Sequence, residues 1–164
     1  MLRSLIIAAA LCIGGLAAAA QGAEPVPKKG TVNIHSAFYF AGTVSQVGEE
    51  HMYADGPYWG VSFNNAGSGF MHNATWHCPG LSEMVGGRNI TVGLCTITDG
   101  ERGVIYGTWG GGGPIGGALE GSLKVTAGAG GYKGIAGVLE FKCNTLSKDG
   151  RQLSCEQTVS YELP

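Results

Sequence analysis

Three polar groupings in this chain carry the residue types that acid/base chemistry needs. His51-Met-Tyr53-Ala-Asp55 places an imidazole, a phenol and a carboxylate together, directly before Gly56-Pro57. His72 sits in the run Phe70-Met-His72-Asn-Ala74-Thr-Trp76-His77-Cys78, where strict alternation sets it on one sheet face with Phe70, Ala74 and Trp76. An imidazole in apolar surroundings favours its neutral form and can accept a proton at neutral pH. The same placement suits a core histidine bonded to one backbone carbonyl. Asp99, Glu101 and Arg102 bring carboxylates and a guanidinium to a strand end, a combination that can hold a carboxylated ligand or form a solvated turn. His72, Tyr53 and His51 are thus the candidate catalytic residues, and Arg102 is a candidate binding residue. Asp55 is accounted for by turn chemistry before Gly-Pro.

Other chemistries lack their signatures. There is no Gly-x-Ser-x-Gly nucleophile elbow. The glycine runs at 110–117 and 128–137 do not cradle phosphate: Lys133 is followed by Gly134 rather than Ser or Thr, and Pro114-Ile115 open no helix. Neither Cys-x-x-Cys nor His-x-x-x-His spacing occurs, so no metal site and no cofactor is expected. The formal net charge is −2, and Lys28-Lys29 is the longest basic run, which argues against a nucleic-acid partner.

The elements that must position these residues read as strands. Short alternating apolar runs recur around 32–40, 58–64, 70–78, 90–94, 104–109, 119–125, 135–143 and 152–163. No window has a sustained 3.6-residue period outside the first 20 residues. About eight short strands separated by Gly- or Asp-containing turns indicate an all-β sandwich or barrel. The 30 glycines are interleaved with Val, Ile, Leu and Tyr, and glycine inside strands marks the bends and close approaches that a small closed barrel requires. The expectation is one antiparallel β-barrel over residues 31–164, with 110–117 as a mobile loop at its mouth. Trp59, Phe63, Phe70, Trp76 and Trp109 are the aromatic candidates for lining a ligand pocket inside it.

Turn chemistry also pairs the cysteines. Residues facing one another across a Gly86-Gly87 hairpin have numbers that sum to 173, as those of Cys78 and Cys95 do. A loop centred on Asp149 places Cys143 opposite Cys155 in the same way. Two hairpin disulfides are expected, and they imply an oxidising compartment. The N-terminus agrees: Met1-Leu-Arg3, an apolar run to Ala20 and small residues after it fit a secretory signal over 1–22, cleaved before a flexible leader at 23–30. The run is short for a membrane span and no second one follows, so no stable membrane insertion is expected. Cys12 leaves with the signal. The alanine-rich leader points to a bacterial periplasm or the extracellular space.

Three segments resemble one known family. Gly128-Ala-Gly-Gly-Tyr-Lys-Gly-Ile-Ala-Gly137 is similar to the GGTGxYxGxxG hairpin of the allene oxide cyclase and dirigent barrel superfamily, which includes small exported bacterial relatives. Asn65-Ala-Gly-Ser-Gly-Phe-Met-His72 resembles the GSGFLH strand of those relatives. Leu94-Cys-Thr-Ile-Thr-Asp-Gly100 resembles their YCTxTDxDGD segment, with Tyr106-Gly107 on the strand that follows. The likeness spans roughly residues 31–163. It departs at Glu101-Arg102-Gly103, where the relatives carry a more acidic run. It implies a barrel of about eight strands that binds a small apolar or aromatic molecule. The cyclases guide ring closure of a bound fatty-acid epoxide, whereas the dirigent proteins orient phenoxy radicals without forming them. The concentration of His, Tyr and Asp within 51–77 favours cofactor-independent lyase, cyclase or isomerase chemistry. A non-catalytic binding or orienting protein and a structural barrel with a filled interior are the alternatives, and self-association is left open.

Overall fold

The computed structural model describes residues 26–164. The expected signal at 1–22 and the start of the leader lie outside the described residues. Nine strands form one antiparallel sheet: β1 (Lys29–Phe40), β2 (Thr43–Gly48), β3 (His51–Asn64), β4 (Ala74–Val85), β5 (Arg88–Asp99), β6 (Gly103–Pro114), β7 (Leu119–Gly130), β8 (Ala136–Thr145) and β9 (Gln152–Glu162). The order β1-β9-β8-β7-β6-β5-β4-β3 closes through a β1–β3 pairing into an eight-stranded barrel, with β2 added on β3. A single three-residue 3-10 turn, Gly100–Arg102, links β5 to β6.

β2 is the continuation of β1. Phe40 pairs with Tyr58, and after the bend at Ala41-Gly42 the same register resumes with Thr43 opposite Asp55. The bend takes the chain away from β9 while it keeps its partner β3. Arg151 caps the carbonyls this exposes, donating from Nη1 to the oxygens of Phe40 and Gly42 at 3.0 Å each. All six residues of β2 are exposed, so the segment has no alternation to betray it. Residues 110–114, expected in a loop, complete β6 instead and pair with β5 as far as Arg88.

Alternation sorts the side chains into a barrel interior and an outer wall. Ile34, Ala74, Trp76, Ile97, Ile105, Leu123, Leu139 and Val159 point inward and are buried. An interior this narrow holds large rings only where the facing backbone is bare. Phe38 lies opposite Gly60 on β3, where a Cβ would stand 2.3 Å from its ring. Trp109 lies across Gly93 and Gly80 on the next two strands, where a Cβ would come within 2.6 and 2.5 Å of the indole. Gly60, Gly80 and Gly93 are thus space for rings from neighbouring strands.

Both expected bridges are present. Cys78–Cys95 joins β4 to β5 and Cys143–Cys155 joins β8 to β9, with Cα separations of 4.1 and 4.0 Å. They lie on different walls and close loops of 17 and 12 residues. Loops of that size correspond to about 3 kcal/mol each in the chain-entropy account. Replacing Cys143 and Cys155 together by Ser should lower the unfolding free energy by about that amount, measured from denaturant curves with midpoint and slope both fitted, since the released unfolded chain exposes more surface. A loss below about 1 kcal/mol would mean that the β8–β9 hairpin holds equally well without its bridge.

Candidate functional site

One end of the barrel is shut by the connection between β3 and β4. Residues 65–73 form turns rather than strand, and Phe70 and Met71 turn inward as a plug. Phe70 stacks on Tyr161 with ring centroids 4.1 Å apart and meets Tyr132 edge-on at 5.6 Å. Met71 takes a positive φ of 58°, a conformation that costs a bulky side chain energy and must be imposed by its surroundings. Those surroundings are polar and buried. Asp99 Oδ2 accepts the Met71 backbone N–H at 3.0 Å and also the Tyr132 hydroxyl, while Oδ1 accepts from Arg102 Nη1 at 3.3 Å. Ser62 Oγ donates to the Met71 carbonyl at 2.9 Å and receives Trp76 Nε1–H at 3.0 Å. Asn64 Nδ2 donates to the Phe70 carbonyl at 2.9 Å. The Phe70 carbonyl and the Met71 amide and carbonyl thus find partners, as burial demands, while the buried Nδ1 of His72 and Nε of Arg102 have none.

Burial and the hydrogen bond to Asp99 push the Tyr132 phenol well above its ordinary value, and burial alone raises Tyr161 and dominates the rise at Tyr58. Glu83 does the same to Tyr53 on the outer wall by accepting its hydroxyl proton.

Above the plug, the interior holds a cavity of about 60 Å³. Its walls carry the rings of Phe38, Tyr58, Trp76, Trp109 and Phe141, together with both disulfides and four leucines. Gln157 is the one amide there. Its Oε1 accepts from Ser36 Oγ, which leaves the NH₂ as the remaining donor. Tyr58 and Trp109 meet edge-on at 5.7 Å, and Trp109 Nε1 donates to the Leu94 carbonyl at 3.2 Å. Such walls suit apolar contact and ring stacking. Among the described residues no three His, Cys, Asp or Glu side chains converge as a metal ion would require.

Of the catalytic and binding candidates singled out from sequence, Trp76 and Trp109 line this cavity and the others do not. Trp59 and Phe63 share a parity as expected, but it is the outer one; Tyr58, Ser62 and Asn64 are the inward residues of β3. Trp59 stacks on His77 at 4.1 Å on the outer wall. Polarity misdirects the reading here, because Ser62 and Asn64 are buried to bond the plug. Phe70 belongs to the plug itself. His72 is not on a strand face, since β4 starts at Ala74 and the turn at 70–73 breaks the alternation. Its ring packs edge-on against Phe63 at 6.1 Å, in a shallow outer groove shared with His35 and Asn65. His51 and Tyr53 do come together, on the outer wall of β3. His51 Nε2 lies 2.9 Å from Glu83 Oε1, and the Tyr53 hydroxyl donates to the same oxygen at 3.0 Å. Arg102 is directed to Asp99, not to the cavity. The cavity residues missed from sequence are Phe38, Tyr58, Phe141 and Gln157. The parity of Cys143 marks Phe141 as inward, and that of Cys155 marks Gln157.

A solved structure of a pterocarpan synthase dirigent protein matches 94% of this chain and 100% of its own, with a TM-score of 0.54 and 9% sequence identity. No protein-family model and no curated protein matches the chain. At that identity the likeness establishes the fold alone, a dirigent-type barrel.

The raised tyrosines give a signed pH dependence. Folding favours the neutral phenol of Tyr132, so its contribution is complete below the unfolded value near pH 10 and is lost as pH rises beyond it. Spectrophotometric titration of the native protein should show Tyr132, Tyr58 and Tyr161 resisting ionisation until alkaline unfolding. Tyr132→Phe should cost about 1.5–3 kcal/mol at neutral pH, the range for a hydrogen bond to a charged group. Full ionisation of all six tyrosines near pH 10 in a still-folded protein would contradict the buried network.

Proposed function

We propose that this protein is an exported binding barrel that holds a small apolar or aromatic molecule in its interior and orients it without acting on it chemically. The observation that carries this reading is the composition of the cavity wall. Rings, leucines and disulfides surround one amide, the Tyr58 phenol in the wall is engaged with Ser82 and raised by burial, and none of His51, Tyr53 and His72 reaches the cavity. A general acid or base must stand within hydrogen-bond reach of the proton it moves. The dirigent-type fold supports the same reading, as do two disulfides and an alanine-rich leader for export to an oxidising compartment, here the bacterial periplasm.

Trp109 is the platform in this proposal. Seated on Gly80 and Gly93, the indole stacks a flat ligand, while the Gln157 NH₂ donates to a carbonyl or hydroxyl oxygen on it. The cavity volume sets the size class. An apolar cavity of roughly 150 Å³ accepts benzene, so at about 60 Å³ this one takes a ring only when side chains at the mouth, Leu119 and Leu153 among them, give way.

Thermal unfolding of the oxidised protein against aromatic, lignan-like and fatty-acid-derived compounds tests this directly. A ligand of the folded state raises the midpoint by mass action, equivalent to about 2.7 kcal/mol at a hundredfold excess over Kd. The recovered compound should be unchanged in mass and configuration, and Trp109→Leu should weaken binding at least tenfold. No stabilisation by any compound would leave a filled structural barrel. A chemically altered compound would restore the enzymatic reading.

A further inference from the structure

The cavity wall has few polar groups, and nearly all of them are already engaged. Trp76 Nε1 donates to Ser62 Oγ at 3.0 Å and Trp109 Nε1 to the Leu94 carbonyl at 3.2 Å. Tyr58 contributes its ring, while its hydroxyl is engaged with Ser82, which lies outside the wall. The peptide groups of the wall belong to strands that pair with one another around the closed barrel. Gln157 remains. Ser36 stands diagonally from it across the β1–β9 pairing, since Ile34 is opposite Gln157 and Ser36 opposite Cys155. Both side chains are buried, Ser36 at 2% exposure and Gln157 at 6%. The Ser36 hydroxyl donates to Gln157 Oε1 and has no other acceptor among the described residues. That contact sets the amide. With its oxygen turned to Ser36, its NH₂ is the group left for the cavity; the reverse orientation would leave the Ser36 proton buried without a partner.

We infer that the cavity selects a neutral carbonyl compound, a ketone, aldehyde or lactone, and that Ser36 sets this selectivity by holding the Gln157 amide. The inference rests on the binding reading above and narrows it. A carbonyl oxygen only accepts, so it meets the NH₂ and leaves nothing unpaired. A hydroxyl oxygen accepts the same bond, but its own proton then faces a wall with no free acceptor. An unpaired buried donor weakens binding by about tenfold or more. A carboxylate fares worse, because no cationic side chain lines the cavity among the described residues and an isolated buried charge is costly. Ser36 itself is not in the wall, so it acts through Gln157 as a positioning residue.

Acetophenone, 1-phenylethanol, cumene and benzoate are matched in size and separate these classes. Calorimetric titration of the oxidised protein should rank acetophenone first, with 1-phenylethanol about tenfold weaker or more and benzoate unbound. Cumene has no polar group and reports whether the interior binds at all. Gln157→Leu should bring acetophenone down to the level of cumene, with cumene still bound. Ser36→Ala frees the Gln157 amide to turn its oxygen to the cavity, so the preference for ketone over alcohol should shrink toward unity while cumene binds as before. A serine that merely supported the fold would on replacement weaken all the probes alike, which would overturn its positioning role. This second variant also serves if Gln157→Leu fails to fold. Equal affinity for ketone and alcohol in the wild type, or a ketone preference that both variants leave intact, would overturn the inference; cumene binding would then still uphold the binding reading. Binding of none of the four would overturn both together.

Discussion

A single buried carboxylate organises one end of this barrel. Asp99 ends β5 and receives the Met71 amide, the Tyr132 hydroxyl and the Arg102 guanidinium. Those partners come from the β3–β4 connection, the β7–β8 turn and the β5–β6 turn, so one side chain ties three loops that local structure alone would leave apart. An uncompensated buried charge costs several kcal/mol, and each partner held by Asp99 relieves part of that cost. The plug that results lets Met71 keep its positive φ and seats Phe70 against Tyr132 and Tyr161. Any molecule in the interior must then enter from the opposite end.

The second constraint is volume. Eight strands enclose room for roughly one layer of side chains, and this chain uses rings where most small barrels use aliphatics. Several rings are accommodated by glycine on an adjoining strand, as Phe38 is by Gly60, Trp109 by Gly80 and Gly93, and Phe141 by Gly121. The exchange yields broad aromatic walls and a small residual cavity instead of a uniformly packed core. It also explains why the interior is poor in chemistry: positions that might hold an acid or base are occupied by rings or left bare for them. His51, Tyr53 and Glu83 find one another on the outer wall instead.

Much of the architecture is legible in the residue order, for reasons that can be named. Strand existence follows from period-two alternation, and the disulfides follow because a Gly-Gly turn sets the register that brings Cys78 opposite Cys95. The three segments 65–72, 94–100 and 128–137 meet at Met71, Asp99 and Tyr132. Alternation cannot say which face is inside. On β3 polar Ser62 and Asn64 face inward and aromatic Trp59 and Phe63 outward, because the plug needs hydrogen-bond partners in the core. His72 was misplaced because a nine-residue turn interrupts a run that reads as continuous. Thr43–Gly48 carries no alternation, because it is paired on one side and exposed throughout. Asp99 was legible as a strand-end carboxylate but not as a buried one, since its partners lie 28 and 33 residues away in sequence.

The account depends most on the plug being part of the folded core. Hydrogen exchange at the Met71 amide, followed by NMR in the native protein at neutral pH, tests this at the one donor that ties the connection to Asp99. Exchange is expected only through global unfolding, with protection equal to that of the Ile97 and Ile105 amides in the core. Exchange at the rate of an open loop, while those strands stay protected, would show that the barrel is not closed at this end and that Asp99 does not hold it.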